Sequence, residues 1–380
     1  MNIDIYFRPT EKNEVQKGTI GSCIESYNDK FPDWEESDVV FFTIYDSNNK
    51  QIEDKQPIDP LRQCLNKLYL NKDVKISDLG VFIPGDEQED TVSAIKEITS
   101  LINSKGKLLL IIGGDQYLTY ANFLGYQKSE QLVNLVVLDQ KVNLLVDDKE
   151  KLNSSNFLNH ILLHEPSYLF NFSQLAHQQY YISNQQVKFF DDLYFDLVRL
   201  GALQNDIKIA EPHLRNADLL SIDMSVIRKS EFNSAYDSGP NGLFGNEVCQ
   251  LMKYAGISDK ISCIGIHNFQ NNVLYQEDAM LIAQMMYFLI TGFSERKSDF
   301  PIGTKQDHLK YVVFHEELNH NLVFHKSPKS DRWWLEVPYP PIKEFKFERH
   351  HLIPCDMIDY QNAQSGIIPD LWWRTYRKLN

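Results

Sequence analysis

The sequence predicts a three-layer α/β fold on a mainly parallel sheet. Three observations carry that prediction. Continuous apolar runs recur through the first 293 residues, segments with helical spacing separate them, and three of them end in aspartate. Strands covered on both faces read as unbroken apolar runs, and parallel neighbours need a crossover helix between them. A chain of 380 residues has room for one large domain or two ordinary ones, with a sizeable core.

The elements follow in order. VVFFTIY at 39–45 reads as a buried strand, and 46–60 as a polar turn. A helix is predicted over 60–71, with Pro60 in its first turn, where a missing N–H costs nothing. ISDLG at 76–80 reads as a short strand end. Residues 90–104 carry apolar positions at helical spacing, and Lys105-Gly106 stops that helix. LLLIIGGD (108–115), LVNLVVLD (132–139), ADLLSID (217–223) and KISCIGIH (260–267) are further strands. Helices fit 156–163, 245–255 and 277–291; the Met and aromatic residues of the last stand at core spacing and read as packing.

Asp115, Asp139 and Asp223 end three of these strands. Ligands of parallel α/β sheets bind outside the carboxyl ends of the strands, so three acids there converge on one crevice. Converging carboxylates are costly without a cation to neutralise them. The bland alternative is that each aspartate caps the loop that follows it.

Composition excludes several classes. A formal charge of −14 argues against non-specific nucleic-acid binding. No apolar run reaches membrane-spanning length, and MNIDIYFRPTEK lacks the pattern of a signal peptide. Cys23, Cys64, Cys249, Cys263 and Cys355 are scattered, with no CxxC, so the expectation is a reduced cytoplasmic protein without disulfides or a zinc ribbon. Cys263, inside an apolar strand, reads as inert core. No P-loop, GxGxxG or GxSxG is present.

The charge is uneven. From Ser294 onward there are 13 Lys+Arg and 12 Asp+Glu, together with four of the five Trp and seven of the 15 Pro. This places a boundary near 294–305 and divides the chain into 1–293 and a C-terminal extension, 294–380. In the extension, 310–316, 321–325 and 332–337 suggest an antiparallel meander, and PYPPIKEFKF an extended tail. His315, His320 and His325 miss the spacing of a zincin helix; they fit a hairpin turning at Leu318–Asn321, with His315 and His325 as cross-strand neighbours. His350-His351 reads as solvated. Trp333, Trp334, Trp372, Trp373 and Arg374 have the composition of a protein-binding hot spot. The alternative is that these aromatics pack back on the domain, over the crevice or the sheet edge.

Four motifs, in order and each at a strand-to-loop junction, resemble the arginase/agmatinase/formiminoglutamase (ureohydrolase) superfamily over about 35–293. They are ISDLG, GGDQ at 113–116, DQKVN at 139–143 and SIDMS at 221–225; GPNGLFGNEV at 239–248 resembles the segment that opens the family's next helix. The resemblance implies an arginase-like fold and trimers or hexamers. It also implies two manganese ions, held by two His and four Asp, whose bridging hydroxide attacks a guanidinium or formimino carbon. This sequence departs from that pattern. Gln116 stands for the first His, Lys141 for the second, Asn143 for one Asp and Ser225 for another; Asp139 and Asp223 are kept. Ile266-His267-Asn268-Phe269 lacks the Glu that grips the family's substrate.

With Asp115, these six positions read as a vestigial site. Lys141 is expected to place its ammonium where a metal sat, between Asp139 and Asp223. The resulting expectation is a pseudoenzyme: no catalytic residues, no cofactor, and a role as scaffold or regulatory binding protein. Such degenerate, tailed relatives are loosely associated with bacterial gliding and secretion machinery. Two alternatives remain. One is a manganese-dependent hydrolase with a rewired site, with residual metal on Asp139 and Asp223. The other is a small-molecule sensor, in which Asp139, Asp223 and Gln116 hold a cationic group and Lys141 points away.

Overall fold

The computed structural model describes residues 3–12, 14–44, 59–145, 150–270, 274–301, 307–340 and 347–380. One ten-stranded sheet contains β1 (Phe7–Arg8), β2 (Ile24–Ser26), β3 (Val39–Ile44), β4 (Ile76–Phe82), β5 (Leu108–Gly113), β6 (Val133–Leu138), β7 (Leu169–His177), β8 (Asp196–Arg199), β9 (Leu219–Asp223) and β10 (Cys263–His267). Its order is β1-β4-β3-β5-β10-β9-β6-β7-β8, with β2 also on β4. Every pairing is parallel except β1 with β4.

The alternation of a buried strand makes two cores, one on each face. Leu110 and Ile112 of β5 join α1 (Pro60–Leu65), α7 (Ala210–Asn216), α8 (Gly245–Gly256) and α9 (Gln276–Phe293). Leu109 and Ile111 join α2 (Gln88–Ser104), α3 (Leu118–Leu124), α4 (Phe157–Leu162) and α5 (Asn184–Asp192). The result is the three-layer arrangement expected of apolar parallel strands. A short α6 (Leu200–Asn205) follows β8.

The differences from expectation have local causes. The helix expected over 60–71 stops at Leu65, because Leu68 and Leu70 turn away to share backbone hydrogen bonds with Ile20 and Gly18. ISDLG lies inside a full seven-residue strand. Its Asp78 is buried in a two-pronged pair with Arg62 (2.6 and 2.7 Å), which fastens α1 to β4. Asp59 caps α1 by accepting from Leu61 and Arg62 N–H; the rest of the expected turn, 46–58, lies outside the described residues. β7 and β8 were not expected. Asn171, Ser173 and Gln174 break the apolar pattern of β7, and their partners lie elsewhere in the fold.

Beyond α9, β11 (Leu309–His315), β12 (His320–Lys326), β13 (Trp333–Glu336) and β14 (Leu352–Cys355) form a separate antiparallel sheet in that order. Two helices that the sequence did not lead us to expect close the chain: α10 is Met357–Gln364 and α11 is Asp370–Leu379. Residues 341–346 of the proline-rich stretch lie outside the described residues. In α11, Trp372, Thr375 and Leu379 share one face and are buried.

This C-terminal region packs on the amino ends of the large sheet. Arg215 of α7 donates to the carbonyls of Trp333 (3.0 Å) and Cys355 (2.8 Å), and its guanidinium lies 4.7 Å from the centre of the Trp334 ring. Arg349 pairs with Asp218, just before β9, at 2.6 Å. His350 lies 4.1 Å from Phe170 of β7. Arg374 donates to the Phe195 carbonyl at 2.7 Å, and Lys378 to Asn171. The five residues of β9 separate this attachment from the crevice end by roughly 15 Å, so the tail does not close over the crevice. No described helix is long and apolar enough to cross a membrane.

Candidate functional site

The central order β5-β10-β9-β6 sets Gln116, Asn268, Asp223 and Asp139 side by side at the carboxyl ends. The turn after β5 depends on glycine. Gly113 and Gly114 have positive φ, and a Cβ on Gly114 would stand 2.7 Å from Leu118 Cδ1. Through that turn Gln116 enters the interior, fully buried. Asp115 stays half-buried beside Tyr117, whose phenol is pushed up to about 12 by burial and then by this carboxylate. Of the three strand-end acids, Asp139 and Asp223 form the interacting pair.

Each of the two carboxylates ties one oxygen to its own loop. Asp139 Oδ1 accepts from Lys141 N at 2.9 Å, and Asp223 Oδ1 accepts from Ser225 N at 2.8 Å. These are the loop caps that the bland alternative describes. The second oxygens meet amides. Asp139 Oδ2 accepts from Asn143 Nδ2 at 2.7 Å, and Asp223 Oδ2 from Asn268 Nδ2 at 2.8 Å.

The Gln116 amide lies between them. The end that meets Asn143 at 2.6 Å also stands 3.1 Å from Asp139 Oδ2 and 3.2 Å from Asp223 Oδ2; its other end reaches Ser221 Oγ at 3.5 Å. An amide nitrogen at that point donates to both carboxylates but faces the Asn143 nitrogen, whereas an oxygen accepts from it. An oxygen there requires protonated carboxyls that donate to it. Burial, then the nearby Asp223, pushes the Asp139 carboxyl well above the usual range. Burial pushes Asp223 up to about 6, against the hydrogen bonds from Ser225 and Asn268.

Lys141 does not supply the cation that the sequence led us to expect. Its Nζ is 3.8 Å from Asp237 Oδ2 and 5.5 Å from the centre of the Tyr181 ring, with 41% of the side chain exposed. The cause is the loop. Lys141 gives its N–H to Asp139 and accepts at its carbonyl from Gln174 Nε2 (3.0 Å), which leaves the side chain directed outward. Several of these contributors were invisible in the sequence. Gln174 also donates to the Asp139 carbonyl at 3.0 Å, and Gln140 to that of Asp237 at 2.8 Å. Asn268 holds φ at 69°, a conformation Asn tolerates better than most residues. Beside it His267 is fully buried, its Nδ1 2.9 Å from the Gly113 carbonyl, and burial pushes it down to about 4.

The donor set does not fit a pair of manganese ions. Two carboxylates remain, an amide lies between them, and among the described residues no group of three or more His, Cys, Asp or Glu is arranged to hold a metal.

The other singled-out residues go elsewhere. His315 pairs across the hairpin with His320, not with His325, because the turn spans 316–319. His325 bonds Glu336 at 2.8 Å, and His315 bonds the Gly366 carbonyl at 2.9 Å. His350 and His351 are buried rather than solvated, because the chain folds them beneath the second sheet. Burial, then Lys260 and Arg349, holds His350 well below its usual range. Cys263 lies in the core with its thiol pushed up by burial, and all five cysteines are free. The rings expected to face a partner are mostly internal. Trp333 stacks on Tyr360 at 5.1 Å, and Trp334 and Trp372 are buried. Trp373 is the exposed one at 37%. Arg374 is committed to Asp370 and Phe195.

A parallel three-layer fold with acids at its strand ends defines the class as an α/β protein with a crevice at the carboxyl ends of its strands. The arginase family model matches residues 50–291, and the chain belongs to that family. No curated protein matches it by sequence. Among solved structures, formiminoglutamase of Trypanosoma cruzi with manganese is similar at 17% identity and TM-score 0.59, over 69% of this chain and 95% of that one. Formimidoylglutamase of Bacillus subtilis is similar at 13% and 0.63, over 77% and 98%. Agmatine ureohydrolase of Thermoplasma volcanium is similar at 17% and 0.57, over 73% and 94%. At these identities the likeness speaks for the fold.

Proposed function

We propose that this arginase-family chain is non-catalytic and serves as a scaffold or regulatory binding protein. The observation that carries this reading is the Gln116 amide held between Asp139 and Asp223. Hydrolysis of a guanidinium or formimino carbon needs a nucleophile made from water near neutral pH, the task of a metal pair. Amides take no proton from water and do not lower its pKa as a metal pair does. A rewired manganese hydrolase remains the competing account, because the similar formiminoglutamase carries manganese. The sensor account needs its acids open to a ligand, and the near-complete burial of Asp139 and Gln116 weighs against it.

The partner surface we favour is β11. It is an edge of the second sheet and exposes Leu309, Val312 and Phe314, with Trp373 exposed on α11. Unpaired edge strands with apolar side chains are templates for pairing.

The test of the non-catalytic reading is incubation with manganese, elemental analysis, and assay on arginine, agmatine and formiminoglutamate. The expected result is less than about 0.1 ion per chain and no product. Nearly two ions with release of urea or formamide would sink the reading.

A further inference from the structure

The second sheet is protected at one edge and open at the other. β14 carries Pro354, and all four of its residues are buried. β11 carries no proline, and its register with β12 runs without a bulge from Leu309 to His315. Among the described residues no other strand pairs with it, so alternate N–H and C=O groups point outward along its length. Leu309, Val312 and Phe314 are each more than half exposed, as is Ile367, next to the Gly366 carbonyl that His315 holds. Lys310 is the only Lys, Arg, Asp or Glu in the strand.

The strand complements itself. Its seven residues have Val312 at their centre, so a second copy running antiparallel pairs with all of them. Val312 then faces its own counterpart, Tyr311 faces the partner's Val313, and Lys310 faces the partner's Phe314. Aromatic residues opposite β-branched ones stabilise a ladder, and like charges directly opposite weaken it. In this register each Lys310 lies against a ring, and the two ammonium groups stay four residues apart. Charge selects the same end of the molecule. The whole chain carries −14, whereas the extension from Ser294 holds 13 basic and 12 acidic residues. Two copies that approach through residues 1–293 bring their acid excess together; through the extension they do not.

We propose that β11 pairs antiparallel with β11 of a second copy about Val312, joining two four-stranded sheets into one across a two-fold axis. This rests on the choice of β11 as the binding surface above and supplies its occupant.

The full-length protein is examined by sedimentation equilibrium, with melting midpoints to confirm that each variant is folded. The wild type is expected to be a dimer. Val312→Lys sets two ammonium groups opposite each other and is expected to weaken the dimer by about tenfold or more. Phe314→Lys meets the partner's Lys310 and should do the same, whereas Phe314→Glu meets it with opposite charge and should keep the dimer. Under mild oxidation Val312→Cys is expected to give a disulfide-linked dimer, and Phe314→Cys, whose two copies are four residues out of register, is not. A monomeric wild type overturns the proposal. So does an assembly that Val312→Lys leaves intact, or one that Phe314→Lys and Phe314→Glu weaken equally. If Val312→Lys does not fold, the cysteine variants decide, and no cross-link at position 312 overturns the pairing as well. A monomer that stays inactive with manganese rejects the pairing and leaves the non-catalytic reading standing. A dimer that hydrolyses guanidino substrates rejects that reading and leaves the pairing.

Discussion

The two ends of the large sheet treat their aspartates in opposite ways. At the carboxyl end, Asp139 and Asp223 face amides and each other, and both carboxyls are pushed up. At the amino end, Asp218 meets Arg349, and Asp196 meets His213 and Lys378. Burial alone would raise Asp196 too. The charges of His213 and Lys378, with hydrogen bonds from Asn171 and Ser173, hold it below the usual range instead. The residue type is the same, and the sign of the shift follows from what the rest of the fold brings opposite it. One end is fastened by charge; at the other, burial pushes the carboxyls toward the neutral form against the hydrogen bonds they accept.

Substitutions at the amino end should have the largest effect on stability. Arg215→Ala removes two buried hydrogen bonds to carbonyls and the contact with Trp334, and Trp372→Ala opens the apolar cluster under the C-terminal sheet. Each is expected to cost about 3–5 kcal/mol in urea unfolding. Trp373→Ala, on the exposed side of the same helix, is expected to cost about 1 kcal/mol or less. Equal losses at the two tryptophans would show that the burial contrast is false.

Next comes a pair of identical changes. Asp196→Asn removes a charge that has cationic partners and should destabilise by about 1–3 kcal/mol. Asp139→Asn removes a charge that has none, and should be neutral or slightly stabilising at pH 7. A loss above about 2 kcal/mol at Asp139 would mean that a cation sits opposite it after all.

The pH dependence sharpens the same contrast. Asp223 has its pKa raised from 3.8 to about 6, so its contribution to stability is present below 3.8 and lost as pH rises through 6. His267 is lowered from 6.5 to about 4, so its contribution is present above 6.5 and lost as pH falls toward 4. Over the shared window the two slopes oppose. Asp223→Asn should therefore lose stability on acidification from about pH 6 to 4 by on the order of 2 kcal/mol more than wild type. Parallel pH profiles for the two proteins would contradict the raised carboxyl. The smallest effect is expected at Lys141→Ala, within about 0.5 kcal/mol, because its exposed ammonium makes a screened surface pair with Asp237 and acts on Asp223 less than the hydrogen bonds from Ser225 and Asn268 do.

Much of the fold was legible because an apolar run records burial on both faces. VVFFTI, LLLIIG, VNLVVL, LLSID and CIGIH all became strands of the large sheet. β7 was not legible, since Ser173 and Gln174 are buried for the sake of partners on β8 and on the loop after β6, far away in sequence. The site was half legible. The departures from the pattern that the resemblance implies are legible at Gln116, Lys141, Asn143 and Ser225. Which of them lies between Asp139 and Asp223 was not, and charge alone pointed to Lys141 when the loop geometry selected Gln116.

By itself, then, the sequence determined the buried strand runs and the strand ends that meet at the crevice. Those properties depend on residue type and local periodicity, which a single chain displays directly. Tertiary structure alone decided three other things: Lys141 faces outward, Trp333, Trp334 and Trp372 face inward, and the C-terminal sheet sits at the amino ends of the strands. The direction of a side chain and the neighbour of a surface depend on contacts between residues distant in sequence, such as Arg215 with Trp333 and Gln174 with Lys141. Composition and spacing carry no record of those contacts.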